Sequence, residues 1–294
     1  MFEIDNIVKY YKKTKGVENL SFNLKSGKAL GIIGINGSGK TTTFRVLLGL
    51  LKADSGTILF KSKPLSQHPI SLFGYLPEER SLYKDLRVFD QVIFLGRLKK
   101  MSDELIIERL DKYLKILKIA DYKYTKINKL SKGNQQKVQI LCALIHEPSI
   151  LILDEPLSGL DVINVEILKK LINDLKSQGK YILLSSHQFE HIEEFCDDII
   201  ILKKGDVQYE GSVMDLINSS QYHYLNVDKE VGLNYIDDEH VVEFKVKGKL
   251  IQLKIDDRSQ RDKLFKRIIA NENVNNISIE QASIEIIVKE RELI

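Results

Sequence analysis

The first fifty residues contain alternating apolar and polar positions that are typical of β-strands. Segments FEIDNIVKYY (2–11) and VENLSFNLK (17–25) alternate, and ALGII (29–33) is a short apolar run followed by a glycine. The segment KTTTFRVLLGLL (40–51) has the composition of a helix instead. The pattern predicts strands that lead into a glycine-rich turn and then a helix.

Between about residues 86 and 146 the apolar spacing becomes helical. Ser102 is predicted to cap the N-terminus of a helix whose first turn contains Asp103 and Glu104. A second helix is predicted from Gln135 to His146. The core-facing side of the first helix is predicted to be formed by four residues at helical spacing, namely Ile107, Leu110, Leu114 and Leu117.

After residue 148, predicted strands and helices alternate along the chain. SILIL (149–153), YILLSS (181–186) and DDIIIL (197–202) are predicted strands, and residues 161–177 and 188–195 are predicted helices between them. This order is typical of a mainly parallel sheet that is covered by helices on both faces. The predicted fold class of this part is α/β.

Near residue 219 the pattern changes again. YHYLNVD (222–228) and HVVEFKVKGKLIQLKID (240–256) are strand-like, and residues 258–270 are helix-like. A chain of 294 residues exceeds the usual length of one domain. We therefore predict two domains, residues 1–218 and residues 219–294, of which the second is a small α+β unit.

Composition and charge reduce the number of plausible protein classes but do not identify a function. Hydrophobic residues make up 43% and charged residues 29%, which is ordinary for a globular protein with a sizeable core. The net charge of +3 is too small to indicate a nucleic-acid partner. No signal peptide is expected, and every apolar run is far shorter than the ~18 residues of a spanning helix. A solvated loop face is our interpretation of one basic run, formed by Lys9, Lys12, Lys13 and Lys15.

The two cysteines, Cys142 and Cys196, have neither metal-ligand spacing nor a neighbouring histidine cluster. Both fall in apolar helical patterns, which predicts buried core thiols. A reduced, cytoplasmic compartment is the simpler interpretation.

The segment GINGSGKT (34–41) fits the pattern G-x-x-x-x-G-K-[S/T], with a predicted strand before it and a predicted helix after it. Its glycines, including Gly34, allow backbone N–H groups to turn inward around phosphate oxygens. Lys40 would bring a positive charge to the β- and γ-phosphates, and the Thr41 hydroxyl would ligate Mg²⁺. Thr42 would donate to the α-phosphate. The motif predicts nucleotide binding.

The segment ILILDEP (150–156) places two acids, Asp154 and Glu155, at the end of a buried strand. Burying carboxylates is costly unless they have partners or a function. The alternative is that they merely end the strand and begin a turn. Beside a phosphate cradle, however, Asp154 would hold Mg²⁺ and Glu155 would polarise the attacking water.

Several segments follow one another in the order found in one known family. They are GINGSGKTT (34–42) as Walker A motif, GYLPEER (74–80) at the Q-loop, LSKGNQQK (130–137) as signature, ILILDEP as Walker B motif, SGLD (158–161) as D-loop and SSHQFEHIEEFCD (185–197) with the switch histidine. The first ~215 residues resemble the ATP-binding subunit of an ABC transporter. The resemblance implies a P-loop NTPase (RecA-like) core with an antiparallel β subdomain and a helical subdomain at about residues 79–146.

The resemblance also implies roles for individual residues. Lys40, Glu155 and His187 would be catalytic, with His187 contacting the γ-phosphate and helping to hold the water. His68, His146 and His191 are assigned no such role. Mg²⁺ would be held by Thr41, Asp154 and Glu78. ATP would be bound by Tyr11 (stacking on adenine, with Tyr10 as the nearby alternative), Asn36, Gly37, Ser38, Gly39, Lys40, Thr41, Thr42, Glu78, Ser131, Gly133 and Asp161.

Two departures from the family pattern stand out. Glu78 takes the place of the usual Gln, and an ionised carboxylate cannot donate a hydrogen bond. Lys132 and Asn134 replace the common Gly and Gln of the signature. An added ammonium near a phosphate is expected to help binding. GYLPEER, this signature and the small second domain together resemble a bacterial exporter subgroup that includes sodium-export-like and drug- or peptide-resistance ATPases.

The resemblance implies partners. Two copies would form a head-to-tail homodimer with ATP between the Walker A motif of one and the signature of the other. A membrane-spanning permease would be gripped by the helical subdomain, with Leu82, Tyr83 and Phe89 as candidates, although local core packing explains these three equally well. The chain would therefore be peripheral on the inner face of the cell membrane. The second domain carries no catalytic motif, and regulation or an additional dimer contact are hypotheses for it.

Other ATPase classes fit less well. A GTPase normally contains N-K-x-D, but Asn128-Lys129 is followed by Leu130-Ser131. A soluble P-loop kinase would not need the signature. A non-transport ABC ATPase, acting as a soluble clamp in translation or DNA repair, remains the alternative, although such proteins usually carry two cassettes or a long insertion.

Overall fold

The computed structural model describes residues 1–79, 81–271 and 273–294. The chain packs as two compact units, Met1–Ser212 together with Leu293–Ile294, and Val213–Glu292. The second unit thus begins six residues before the predicted position 219, because its first helix packs against the helix near the C-terminus. Arg80, the last residue of the predicted Q-loop segment, lies outside the described residues.

The first unit contains one large sheet. Its strands are β1 (Phe2–Tyr11), β2 (Thr14–Leu24), β3 (Ala29–Ile33), β4 (Ser55–Phe60), β5 (Lys63–Pro64), β6 (Phe73–Leu76), β7 (Ile150–Leu153), β8 (Tyr181–Ser186), β9 (Asp198–Lys203) and β10 (Asp206–Ser212). They follow the order β5-β4-β1-β2-β10-β9-β3-β8-β7-β6. Strands β9, β3, β8, β7 and β6 run parallel to one another, whereas β1, β2, β4 and β5 pair antiparallel with one another. Strand β10 joins the two parts, antiparallel to β9 and parallel to β2.

Six helices belong to this unit among the residues described. They are α1 (Lys40–Leu47), α2 (Val88–Leu98), α3 (Asp103–Ile116), α4 (Lys132–Leu144), α5 (Val162–Ser177) and α6 (Phe189–Phe195). Helix α4 begins three residues before the predicted start, because Ser131 caps it by accepting a hydrogen bond from the N–H of Asn134 (3.2 Å). Helices α2, α3 and α4 contact one another and form the helical subdomain.

The predicted core-facing side of α3 was wrong at one position. Ile107 is 37% exposed, whereas Ile106 is fully buried. Leu110, Leu114 and Leu117 are buried as predicted. Both Ile106 and Ile107 lie one turn before Leu110, and spacing alone does not choose between them. Packing chooses Ile106, whose side chain lies against Gly96 of α2, where a Cβ would overlap it.

The middle of the sheet is apolar on both faces. Every residue of β3, β7 and β8 is buried, as expected for parallel strands covered by helices on both sides. The core continues toward the antiparallel strands through Phe44 of α1, and through Phe2 and Phe60, whose rings pack edge to face. The packed core thus fixes the C-terminal ends of β3, β7 and β8, which are followed by the candidate site residues.

The second unit has a sheet of its own. Its elements are α7 (Val213–Asn218), β11 (His223–Asp228), α8 (Lys229–Gly232), β12 (Val241–Lys247), β13 (Leu250–Ile255), α9 (Arg258–Asn271), β14 (Ile277–Glu280) and α10 (Ile284–Glu290). The strands are antiparallel in the order β12-β13-β11-β14, and the sequence of elements from β11 to β14 is the β-α-β-β-α-β arrangement of ferredoxin-like domains. Its core includes Leu225, Leu253 and Leu264.

The thiols differ in burial. Cys196 is buried, whereas Cys142 on α4 is only half-buried and faces a groove. Burial raises the pKa of both thiols, that of Cys142 to about 12. In the part of the chain that the structure describes, no helix combines the length and the apolar character required to cross a bilayer.

His146, which follows α4, should make stability depend on pH. Its Nε2 lies 2.9 Å from the carbonyl oxygen of Phe73, and burial, assisted by nearby cations such as Lys99, lowers the pKa of His146. The unfolded chain then binds the proton more readily, so the free energy of unfolding falls as pH drops through and below the ordinary histidine pKa of ~6.5.

We expect His146→Gln, which can still donate to the Phe73 carbonyl, to lose less of the free energy of unfolding between pH 7.5 and 5.5 than the wild type does. Urea titrations at several pH values measure this difference. Equal losses in the two proteins would contradict the assignment.

Candidate active site

The loop between β3 and α1 is held by close backbone approaches. A Cβ on Gly34 would overlap the Ser38 side chain, and one on Gly39 would overlap the carbonyl oxygen of Gly16. Gly39 also has a φ of 112°, which side chains disfavour. The loop therefore adopts its curve only with glycine at these positions, as the motif predicts.

Lys40 is the first residue of α1 and is 8% exposed. Its ammonium donates to the carbonyl oxygen of Gly34 (2.6 Å). The positive charge is therefore held beside the loop, at a helix N-terminus whose free N–H groups favour anions. This combination suits a polyphosphate.

Two acids follow β7, as predicted. Asp154 is 2% exposed and Glu155 is 8% exposed. The hydroxyl of Ser185, on the adjacent strand β8, donates to Asp154 Oδ1 (2.6 Å) and accepts from the N–H of Glu155 (3.0 Å). Ser185 thus satisfies one group on each acid and fixes their positions.

The carboxyl group of Asp154 lies in negative surroundings. Burial raises its pKa, and the charges of Glu78 and Glu155 raise it further, against the opposing effects of the Ser185 hydrogen bond and Lys40. Three carboxyl groups are therefore concentrated beside a single buried ammonium.

Glu155 and His187 form a pair at the ends of β7 and β8. Glu155 has a φ of 51°, and its Oε2 lies 2.8 Å from Nδ1 of His187. The glutamate side chain is largely buried, whereas that of His187 is 58% exposed. The largely buried carboxylate of Glu155 is thus oriented by a histidine that is itself exposed at the surface.

The predicted Walker A residues, Glu155 of the Walker B motif and the switch residue His187 line one cleft of about 750 Å³. Tyr11 lies at its edge, with its hydroxyl 3.4 Å from Thr42 Oγ1, whereas Tyr10 bonds Glu18 instead (2.6 Å). The structure therefore favours Tyr11 over Tyr10. The predicted residues that line the cleft are Tyr11, Asn36, Gly37, Ser38, Gly39, Lys40, Thr41, Thr42, Glu78, Glu155 and His187.

Lys15 also lines this cleft, although we interpreted its basic run as a solvated loop face. Its ammonium bonds Asp206 (2.7 Å) and Glu18 (3.2 Å). Asp206 lies 191 residues away along the chain, so the local pattern carried no signal of this pairing. The carbonyl oxygen of the neighbouring Gly16 lies against Gly39 of the glycine-rich loop, which places Lys15 at the edge of the cleft.

Four other predicted site residues are not among those that line the cleft in the described part of the chain. One of them, Asp154, is buried beside Glu155 and bonded to Ser185. Ser131 caps α4 with its side chain, and Asp161 caps α5 by accepting from the N–H of Asn164 (2.9 Å). Gly133 faces Leu160 and Asn164, since a Cβ there would meet both within 3.6 Å. The signature and the D-loop therefore lie against each other, apart from the cleft of their own chain.

Helix α4 connects the signature to two loops of the site through side-chain amides that the sequence did not point out. Gln136 donates to the carbonyl oxygen of Pro156 (3.1 Å), just after Glu155. Gln139 donates to the carbonyl oxygens of Pro77 (3.0 Å) and Glu79 (3.2 Å), on either side of Glu78. A shift of α4 would therefore be transmitted to both acidic loops.

His68 and His146, which were assigned no role, bond backbone carbonyl groups of Phe60 and Phe73. His191 contacts the ring of Phe195 at a centroid distance of 6.5 Å. None of the three lines the cleft, as far as the described residues show.

A glycine-rich loop after the parallel strand β3, a buried lysine and two acids that follow the parallel strand β7, with β8 between these strands, define a P-loop ATPase. A family model described as "ABC transporter" matches residues 17–158. The uncharacterized ABC transporter ATP-binding protein YhaQ of Bacillus subtilis (strain 168) is 36% identical over 285 residues, which cover 97% of this chain and 96% of that protein.

Solved structures agree. One, described as the ATP-binding subunit of an ABC transporter, superposes with a TM-score of 0.68 and 30% identity, covering 74% of this chain and 92% of the other. Another is the dimeric ATP-binding cassette MJ0796 in a post-hydrolysis state, bound to ADP and Pi, with a TM-score of 0.64 and 27% identity over 72% of this chain and 98% of the other.

The chain belongs to the ATP-binding proteins of ABC transporters. Proteins of this family hydrolyse ATP to power transport and work as dimers with membrane permease components. The predicted P-loop NTPase fold is confirmed.

Ser185 should be important for stability. Ser185→Ala would leave the buried Asp154 without its hydroxyl donor and the N–H of Glu155 without its acceptor. We expect the free energy of unfolding to fall by about 1–3 kcal/mol, as measured by urea titration.

Ser186→Ala is the matched control, since the Ser186 hydroxyl accepts from the N–H of Gln188 (3.0 Å), outside the acidic pair. If both changes lowered the free energy of unfolding equally, the hydrogen bonds of Ser185 to the two acids would not stabilise the fold more than the Ser186 bond does.

Proposed function

We propose that this chain is the ATP-hydrolysing subunit of an ABC transporter, that it forms a homodimer, and that it powers export through a separate permease. One observation carries the proposal. The P-loop, Glu155 and His187 line one cleft, with Asp154 buried beside Glu155, whereas Ser131 and Gly133 of the same chain do not line it.

In this proposal the loop binds the phosphates of ATP. Backbone N–H groups of the segment 36–42 point to phosphate oxygens, with Lys40 supplying the charge. Thr42 is placed for the α-phosphate, and the ring of Tyr11, 42% exposed at the edge of the cleft, stacks on adenine.

The acidic residues fit Mg²⁺. Burial raises the pKa of Asp154, and the charges of Glu78 and Glu155 raise it further, so a bound cation would neutralise like charges at this position. Mg²⁺ typically takes one or two carboxylates, a hydroxyl group, water and substrate phosphates. We assign Asp154, Thr41 and Glu78 to it. The ion would neutralise charge on the β- and γ-phosphates when bound.

Glu155 is assigned as the residue that orients and polarises the attacking water. Glu155 lines the cleft, with its backbone N–H bonded to the Ser185 hydroxyl and its carboxylate in contact with Nδ1 of His187. His187, half-exposed at the same position, is free to turn toward the γ-phosphate. Catalysis then consists of positioning and of stabilising charge in an in-line transfer to water.

Glu78, in the loop between β6 and α2, has different hydrogen-bonding properties from the Gln that is usual at this position. As a carboxylate it can accept hydrogen bonds from water and ligate a cation, but it cannot donate. The two Gln139 bonds to the flanking carbonyl groups hold the backbone of this loop, so the side chain remains directed to the cleft.

The position of the signature supports a homodimer. Ser131 and Gly133 lie at the N-terminus of α4, where free N–H groups suit an anion, but not at their own chain's cleft. We propose that they contact the ATP held by a second copy. The dimeric assembly described for cassette MJ0796 supports such an arrangement. Asp161 would lie at the same interface.

A groove on the helical subdomain is the proposed permease contact. This cavity of about 390 Å³ is lined by Leu82, Tyr83, Leu98 and Cys142. Leu98 is 64% exposed and Tyr83 is 57% exposed. Phe89 does not line it and packs on Tyr124 instead, with ring centroids 5.6 Å apart. The proposed contact therefore does not include Phe89. Binding here would place the chain on the inner face of the membrane.

Export is proposed from the resemblance of the Q-loop segment, the signature and the second domain to an exporter subgroup. A soluble clamp in translation or DNA repair is not favoured, because the family shown is that of transporter subunits.

Glu155→Gln tests the catalytic assignment. The amide keeps the shape of the side chain and its contact with His187 but cannot accept a proton, so we expect ATP hydrolysis to fall by about 10²-fold or more, while ATP binding persists. Phosphate release and nucleotide binding measure the two effects.

The control is Glu79→Gln, an exposed acid next to Glu78. A Glu155→Gln variant that hydrolyses ATP at the native rate would refute the proposed role.

The groove is tested by purification from membranes. We expect the wild-type chain to be recovered with a multi-spanning protein, and Tyr83→Asp to lose this partner because a charge is placed in an apolar contact. Ile107→Asp, on an exposed part of α3, is the control that should retain it. Recovery of the wild type only in a soluble, ribosome- or DNA-bound form would contradict the transport proposal.

A further inference from the structure

Strand β12 is the outer strand of the sheet in the second unit. All of its residues after Val241 are exposed. On its outer edge no other described strand pairs with it, so a row of backbone N–H and C=O groups is available. Such edges are templates for further strand pairing, and proteins usually protect them with short strands, proline or a bulge. Strand β12 has seven residues and no proline, and the one irregularity in its described pairing with β13 lies at its start, between Val241 and Glu243, so the pairing from Glu243 to Lys247 is regular.

The exposed side chains of β12 are strongly divided between the two faces. Val242, Phe244 and Val246 are 51%, 45% and 50% exposed. Phe244 and Val246 lie opposite the buried Leu253 and Ile251 of β13. Their apolar face therefore continues the core beneath α9 to the edge of the sheet, where it stops without cover.

The other face of β12 carries one acidic and two basic side chains. Glu243, Lys245 and Lys247 point to the side opposite Phe244, since side chains alternate along a strand. Glu243 lies 3.5 Å from Lys245 and 3.8 Å from Lys254 of its own chain. Side chains at these sites are about half-exposed or more, apart from Lys254, so these pairs are weak and the groups remain open to a partner.

The segment VEFKV (242–246) is complementary to itself when two copies run antiparallel. With a two-fold axis at Phe244, Glu243 of each copy lies opposite Lys245 of the other. Val242 then lies opposite Val246, and the two Phe244 rings lie side by side. Directly opposed pairs of unlike charge and apolar pairs are the interactions that stabilise antiparallel strands.

We propose that β12 pairs antiparallel with β12 of a second copy of this chain, in the register centred on Phe244. The sheets of the two second units then form one continuous sheet, and the exposed apolar row is covered by its own counterpart. A contact of this kind obeys the rule that a two-fold interface uses the same surface on both copies.

This contact is separate from the proposed ATP sandwich and does not need nucleotide. It would keep two cassettes near each other while their ATP sites are open, which raises their effective concentration for the next closure. The second unit would then be a dimerisation domain, which is one of the two hypotheses for it.

Charge exchange tests the pairing. We expect the full-length chain without nucleotide to be a dimer by sedimentation equilibrium. Glu243→Lys and Lys245→Glu should each weaken it by about tenfold or more, because both charge pairs become repulsive. The double variant E243K/K245E restores both pairs between the copies but not the contact of position 243 with Lys254, so it should dimerise more tightly than either single variant.

A double variant that is as weak as the single variants would overturn the register, and a monomeric wild-type chain would overturn the proposal. Lys40→Ala, which removes the phosphate-binding charge, should leave this dimer intact. If Lys40→Ala abolishes it, the dimer belongs to the ATP sites and not to β12.

Cross-linking tests the two-fold axis directly. Phe244→Cys should form a disulfide between copies under mild oxidation, because the same residue from each copy meets at the axis. Ile279→Cys is the matched control, since it lies on β14 at the opposite edge of the sheet and is 43% exposed. A Phe244→Cys variant that forms no more cross-link than Ile279→Cys would contradict the inference.

Discussion

The burial of two carboxyl groups at the end of β7 is the constraint that the first unit satisfies. A buried acid is costly without partners, and here the partners come from one neighbouring strand. Strand β8 supplies Ser185, and His187, the residue after this strand, contacts Glu155. The loop after β6, on the other side, adds the like charge of Glu78, which raises the pKa of Asp154 further. The order β8-β7-β6 is therefore both a packing solution for an apolar core and the means by which the acids obtain a hydroxyl and an imidazole.

Helix α4 extends this constraint to the signature. One end of the helix is capped by Ser131, and its buried face carries Gln136 and Gln139, which bond the loops that follow β7 and β6. Because a buried amide without a partner is costly, the helix and the two loops are expected to move together. A displacement of the signature would therefore also displace the loops that follow β7 and β6 in the same chain.

The elements that depend on local pattern were predicted from the sequence, and those that depend on distant partners were not. The glycine-rich loop and the acids after ILIL are defined by neighbouring residues, and the cleft brings most of them together as predicted. Ser185 was missed as a bridge because Asp154 lies 31 residues away, and Lys15 because Asp206 lies 191 residues away. Ile106 replaced Ile107 in the core since helical spacing allows either, and only the contact with Gly96 decides.

The separation of Ser131 and Gly133 from their own cleft has a genetic consequence. If each ATP site is shared between copies, a copy with a damaged signature spoils the site of its partner and leaves its own cleft intact. In a cell that expresses both forms, mixed pairs would contain one complete and one incomplete site. Such alleles would be dominant over the wild type, whereas alleles that merely unfold the chain would be recessive.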